Sequence, residues 1–240
     1  MRALLMKNRI RLAEELSEHD QRKMFSPALY SLDRPLMRTI KKYARGNFID
    51  IGCGDMPYRG TIEKQVEQYD SIDRQTRGRL PTYTGDIQDM NMIGDGLYDS
   101  AVCLSVLEHV PQPSRALAEI HRILKEDGVV ILSVPFLARL HEVPDDYYRF
   151  TGYGLRFLLE QAGFDVQQLT PLGGVFSFLG HQISTAVLCS VWHLPVIKQI
   201  AFGLNLWLCV KTCSGLDEWL RTSSILPLGY LCVARKKSID

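Results

Sequence analysis

From Phe48 onward, short apolar runs alternate with stretches of helical period. The runs are NFIDIGCG, QYDSID, DSAVCLSVLEHV, GVVILSVPF and FDVQQL, with helices expected near 60–67, over 113–125 and over 152–162. Short apolar runs read as buried strands, and apolar residues three and four apart read as one face of a helix. In 113–125, Leu117, Ile120 and Leu124 share a face, Pro113 stands at the start and Gly128 lies just past the end. Thr151 is placed to cap the helix over 152–162. Strands alternating with crossover helices predict an α/β fold with a parallel sheet. The closing run LPLGYLCVARKK predicts one more strand with a basic end.

The flanks have a different pattern. Residues 1–47 read as a basic helical extension, in which Leu4, Leu5, Ile10, Leu12 and Leu16 form a partial stripe. Residues 172–210 contain no Asp or Glu and one full charge, Lys198, and Pro195 divides them into two apolar halves. The domain reading is therefore an extension over 1–47, a core over 48–171, an apolar helical insertion over 172–226, and a final strand with a tail over 227–240. A membrane span needs about 20 apolar residues. Val175–Leu194 is interrupted by His181, Gln182 and His193, and Val196–Val210 holds fifteen residues with Lys198 and Gln199, so two full spans are not expected. The preferred reading is peripheral contact through residues 175–210, a hairpin dipping into one leaflet with Trp192, Trp207 and Trp219 at the interface. An apolar cover over an acceptor pocket and a core or homodimer surface are the alternatives.

Composition adds little until it is divided. The 240 residues carry a net charge of +1, but residues 1–47 hold +6, residues 48–170 hold −8 and residues 171–240 hold +3. An acidic centre repels phosphate backbones and suits a cationic ligand, while basic ends beside apolar helices suit an anionic membrane surface. None of the six cysteines forms a C-x-x-C pair, so no thiolate zinc motif and no metal site is expected. A reducing cytoplasm is the expected compartment, at the inner face of a membrane if the insertion meets one. The N-terminal segment lacks the continuous apolar centre of a signal peptide.

The candidate chemistry begins at Asp50-Ile51-Gly52-Cys53-Gly54, at the end of the first apolar run. Glycines there let the backbone turn sharply and approach a ligand over the carboxyl edge of the sheet. Pro57 stands where a dinucleotide fingerprint requires its third glycine, so a nucleoside-like cofactor without a pyrophosphate is expected. Asp73, followed by Arg74, ends the second run at a spacing that suits an acceptor for both ribose hydroxyls. Asp86 in TGDI is placed to accept from an exocyclic amine, with Ile87 against a purine.

Taken in order, FIDIGCG, YDSIDR, TGDI and YDSAVCLSVLEHVPQPSRALAEIHRILKEDGVVILSVPF resemble the class I S-adenosylmethionine-dependent methyltransferases of the small-molecule kind called type 11. The resemblance runs from about Phe48 to Val166 and resumes near 228–235. It implies a Rossmann-like fold, a mostly parallel seven-stranded sheet with helices on both faces, and S-adenosylmethionine as cofactor. It implies that Asp50, Gly52, Cys53 and Gly54 shape the methionine pocket, that Asp73 and Arg74 meet the ribose, and that Asp86 and Ile87 meet the adenine. Leu104 and Ser105 would lie near the sulfonium. Asp127 departs from the family pattern, where glycine more often precedes Gly128.

A base is needed only when the acceptor must lose a proton. Glu108, His109, His141, Asp145, Asp146, Tyr147 and Tyr148 are the candidates. The segment HEVPDDYYRFT resembles that of methyltransferases associated with cell-envelope glycan and polyketide-like pathways. His141 is therefore the expected base, with His109 a second candidate and Tyr147 and Arg149 on the acceptor side. O-methylation of a small-molecule, glycan or lipid-linked acceptor is the leading expectation. C-methylation of a hydrophobic ring such as a quinone, and a non-catalytic cofactor-binding protein, are the alternatives. No nucleic-acid partner is expected, because Leu104-Ser105-Val106-Leu107 stands where an Asn/Asp-Pro-Pro-Tyr/Phe motif would be.

Overall fold

The computed structural model describes residues 2–16, 19–76 and 79–237. Its strands are β1 (Asn47–Ile51), β2 (Gln68–Asp73), β3 (Tyr83–Thr84), β4 (Tyr98–Leu104), β5 (Leu124–Pro135), β6 (Phe164–Leu172) and β7 (Gly229–Lys236). Its helices are α1 (Arg2–Glu15), α2 (His19–Phe25), α3 (Pro27–Tyr43), α4 (Arg59–Ile62), α5 (Pro113–Ile123), α6 (Gly152–Gln161), α7 (Val175–Val191), α8 (Pro195–Asn205) and α9 (Cys213–Leu220). Two compact units result, residues 35–170 with 229–240, and residues 1–34 with 171–228. The sequence reading drew its lines at 47, 171 and 226.

In the first unit, seven strands form one sheet in the order β3-β2-β1-β4-β5-β7-β6. β1 pairs in parallel with β2 and β4, β4 with β5, and β7 runs antiparallel to β5. The core is built from Ile49, Ile51, Ala101, Cys103, Val130 and Leu132 on the strands, packed with Ala116, Leu117 and Ile120 of α5 and Leu155 and Leu159 of α6. Fully burying each large aliphatic chain contributes about 1.5–3 kcal/mol. Thr151 caps α6, its Oγ1 accepting from Gly154 N at 3.0 Å. The carboxyl ends of β1, β2 and β4 share one edge, where open α/β sheets hold ligands.

Two helices differ from the periodicity. The helix near 60–67 shrinks to the single turn of α4; Ile62 is its buried residue, and Gln65 Nε2 donates to Ile40 O at 2.9 Å beyond its end. The helix expected to run to 125 stops at Ile123, because Leu124 is already extended and pairs with Tyr98. The pairing next resumes at Val129 opposite Ser100, so Lys125–Gly128 bulge from the ladder. Asp127 sits in that bulge at φ +60, a conformation that favours glycine and tolerates aspartate. Its departure from the family pattern thus keeps the backbone shape.

The second unit is helical. Leu12, Leu16, Phe25, Leu188 and Trp192 form a buried cluster that joins α1 and α2 to α7. Buried Asn8 donates from Nδ2 to Cys189 O at 2.7 Å. The second apolar half lies in a helix that continues past Val210: it runs over Pro195–Leu220, 26 residues, through a π-turn segment at Leu206–Thr212. Its 18-residue apolar window has a mean hydropathy of 1.2 and is 11% buried. Buried Asp217 of α9 accepts from Phe176 N at 2.9 Å and Ser177 N at 2.8 Å, and from the Thr222 hydroxyl. A distant carboxylate thereby satisfies the α7 N-terminus, where Gly174 offers no side-chain cap.

Candidate active site

Three strand ends converge on one cleft. After β1 the backbone turns through Gly52 and Gly54, at φ +68 and +51. A Cβ on Gly52 would collide with Val106 Cγ2, whereas one on Gly54 would meet nothing within 4 Å. The first glycine thus permits close packing, and the second leaves open space. Asp73, at the end of β2, accepts from Gly54 N on Oδ2 and from Gln75 N on Oδ1, each at 2.9 Å. Each carboxylate oxygen retains a second lone pair for a ligand hydroxyl. Asp86 is held by Gln88, whose backbone N donates to Oδ1 at 2.9 Å and whose Oε1 accepts from Gln112 N at 3.0 Å.

The cleft has a volume of about 140 Å³ and is lined by Gly52, Gly54, Asp73, Arg74, Asp86, Ile87, Ser105 and His109. Ser105, just after β4, is at φ +53, a sparsely populated region for a residue with a side chain. Gln88, Val106, Pro111 and Glu142 also line the cleft and were not anticipated. Gln88 had one available signal, its position directly after the TGDI segment.

Asp50, Cys53, Leu104, His141 and Tyr147 do not line the cleft. Asp50 is buried beneath the β1 turn; burial pushes its pKa up to about 6, against the Tyr69 hydroxyl, which donates to Oδ2 at 2.7 Å. Burial pushes the Cys53 thiol up to about 12, so it is a packing group and no nucleophile. Tyr147 is exposed, with its hydroxyl donating to Asp145 Oδ1 at 3.0 Å. The Arg149 guanidinium is committed to Asp146 at 2.6 and 2.8 Å and to the Ala138 and Arg139 carbonyls. That pairing holds the Asp146 carboxyl well below the usual range. Arg74 reaches Asp145 at 3.0 Å, and Tyr147 N and Tyr148 N both donate to Glu108 O. The loop after β5 is therefore strapped to the cleft rim.

Beneath the rim, Glu108, His109 and His141 meet. Glu108 is fully buried, and neither carboxylate oxygen has a hydrogen-bond partner. Burial pushes its pKa up to about 8. Its Oε1 lies 3.9 Å from Nε2 of both histidines. The His109 and His141 rings meet edge to face, 4.8 Å between centroids. His109 Nδ1 is 2.7 Å from Asp145 O. A carbonyl only accepts, so the Nδ1–H donates to it, and Nε2 is the ring nitrogen left toward Glu108.

With this geometry in hand, comparison with known proteins is informative. A family model described as a methyltransferase domain matches residues 18–169, well over half of the chain. The chain belongs to the methyltransferase-domain family. Membership implies S-adenosylmethionine as cofactor, and the open space at Gly54 beside the spare lone pairs of Asp73 fits its nucleoside portion. Solved structures agree in fold. An S-adenosylmethionine-dependent methyltransferase from Archaeoglobus fulgidus superposes with a TM-score of 0.56 at 18% identity, over 89% of this chain and 97% of that one. The [4+2]-cyclase SpnF gives 0.57 at 15% identity, over 85% and 82%. Among proteins known by sequence, an uncharacterised 37.1 kDa protein from transposon Tn4556 of Streptomyces fradiae is 28% identical, over 63% of this methyltransferase chain and 54% of that protein. The chain thus spans about half the length of that relative.

Proposed function

We propose that this methyltransferase transfers a methyl group to a hydroxyl of a small-molecule, glycan or lipid-linked acceptor. The observation that carries the reading is the His109 ring on the cleft wall, with Glu108 Oε1 3.9 Å from its Nε2 and His141 against its edge. S-adenosylmethionine, when bound, supplies a methyl group already activated by the sulfonium charge. The chain then contributes mainly positioning, which is worth about 7–11 kcal/mol of barrier. Asp73 accepts from the ribose hydroxyls, Asp86 accepts from the adenine amine, and Ile87 packs on its ring. Asp50 acts indirectly in this reading: buried below the turn and bonded to the Tyr69 hydroxyl, it supports the backbone that carries Gly52 and Gly54. The Glu108–His109–His141 cluster activates the acceptor hydroxyl. In an S-adenosylhomocysteine-release assay over hydroxyl, ring-carbon, amine and thiol acceptors, turnover is expected with hydroxyl acceptors. Turnover confined to ring-carbon acceptors would replace the reading, and cofactor binding without turnover on any acceptor would make the protein a binding module.

The helical unit supports a lipid-linked acceptor and contact with a membrane face. Val196, Ile197, Ile200, Leu204, Trp207 and Leu208 are all exposed along one continuous helix. Lys211 Nζ stands 3.9 Å over the Trp207 ring, a pairing suited to an anionic interface. Purified protein is expected to float with vesicles containing anionic phospholipid and to lose that behaviour when Ile200 and Leu204 are changed to glutamate. Protein that stays at the bottom of the gradient at low ionic strength refutes membrane contact.

A further inference from the structure

The buried Glu108 carboxylate has no protein partner, and an unsatisfied buried acceptor of this kind requires an explanation. Three features define what it awaits. First, among the described residues, one donor atom from each of Glu108, His109 and His141 lies within 4.8 Å of the others. Second, the histidine tautomers are set by backbone carbonyls. His141 Nδ1 is 3.1 Å from Arg139 O, closer than the 3.4 Å to Arg149 Nη2, whose guanidinium Asp146 already engages. Nδ1 therefore donates in both rings, and each Nε2 lies 3.9 Å from Glu108 Oε1. Metal-bound histidines almost always donate their other ring N–H to a carbonyl or carboxylate in this way. Third, the elements that carry the donors are strapped together by Tyr147 N and Tyr148 N donating to Glu108 O.

We propose that Glu108, His109 and His141 form a three-ligand site for a divalent transition-metal cation of the zinc class. Two imidazoles and one carboxylate are borderline donors that suit zinc or iron(II) better than magnesium. Tetrahedral ligands at zinc distances lie roughly 3.4 Å apart. The donors therefore need to close by about half an ångström for each oxygen–nitrogen pair, and by up to about 1.4 Å for the two ring nitrogens, which lie within 4.8 Å of each other. Three protein ligands leave one position for a further oxygen. The site adjoins the cleft through His109. A cation held there would take up both histidine nitrogens and, in place of His109 as base, would lower the pKa of an acceptor hydroxyl that meets it, whose proton would pass to water. That last role rests on the proposed hydroxyl acceptor, but the binding itself does not.

Calorimetric titration of the metal-depleted full chain with Zn²⁺ alone tests the site without cofactor or acceptor. One strongly bound Zn²⁺ per chain is expected, with at least 30-fold weaker binding in Glu108→Gln and in His141→Ala. Co²⁺ is expected to give a visible d–d spectrum without thiolate charge transfer, and Cys209→Ser/Cys213→Ser is expected to leave both readouts unchanged. Circular dichroism identifies any variant that fails to fold, and the two ligand substitutions are on different segments, so one remains informative. Absence of tight Zn²⁺ binding, or equal binding by wild type and both ligand variants, overturns the site while leaving the methyl-transfer reading standing. Turnover failing on every acceptor despite tight Zn²⁺ binding has the opposite meaning.

Discussion

Replacing Asp73 by alanine is expected to weaken S-adenosylhomocysteine binding by about 100- to 10,000-fold. The carboxylate stands at the end of β2 with one lone pair on each oxygen still free. A hydrogen bond to a charged group contributes about 1.5–3 kcal/mol, and two ribose hydroxyls would make two of them. Every 1.4 kcal/mol or so is tenfold in affinity. The same substitution removes the acceptor for Gly54 N, so the turn over the cofactor loses its anchor as well. Asp73→Asn keeps the shape and one acceptor and should lie between the two. Isothermal titration of wild type and both variants measures this, with thermal unfolding as a control for the fold. An alanine variant that binds within threefold of wild type would remove Asp73 from the cofactor site.

Asp217→Ala should destabilise the helical unit by about 3–5 kcal/mol, since each buried group left without a partner costs about 1–3 kcal/mol. The substitution strands Phe176 N, Ser177 N and the Thr222 hydroxyl at once. Ordinary surface substitutions fall within about 0.5 kcal/mol, so the effect is well separated from background. All three tryptophans, Trp192, Trp207 and Trp219, lie in this unit, which makes fluorescence-detected urea unfolding a selective probe. Asp217→Asn retains an acceptor oxygen and should recover part of the loss. A change below about 1 kcal/mol for the alanine variant would show that water replaces the carboxylate at the α7 terminus.

Much of the catalytic fold was legible before any coordinates. The runs around Ile49, Val102 and Ile131 became strands because a buried parallel sheet demands near-continuous apolar residues, and that demand is local. Gly52, Gly54, Asp73, Asp86, Ile87 and Ser105 reached the cleft for a similar reason, since strand ends on one edge bring their following residues together. The bulge at Lys125–Gly128 was not legible, because its cause is the partner strand β4 and not its own composition. Nor was the length of the helix through Leu220: charged and polar residues after Val210 suggest an end, yet Asp217 is buried there by hydrogen bonds to α7.

The sequence by itself determined the order of strands and helices, the cofactor-facing turns, and the contrast between an acidic core and basic, apolar flanks. Only the tertiary structure decided which distant segments share a core. Asn8 and Cys189 are 181 positions apart, yet one hydrogen bond joins them. Only the tertiary structure, too, brought the Nε2 atoms of His109 and His141 to 3.9 Å from the unpartnered carboxyl group of Glu108. Periodicity records which face of an element is buried, whereas the identity of the buried partner depends on packing across the whole chain.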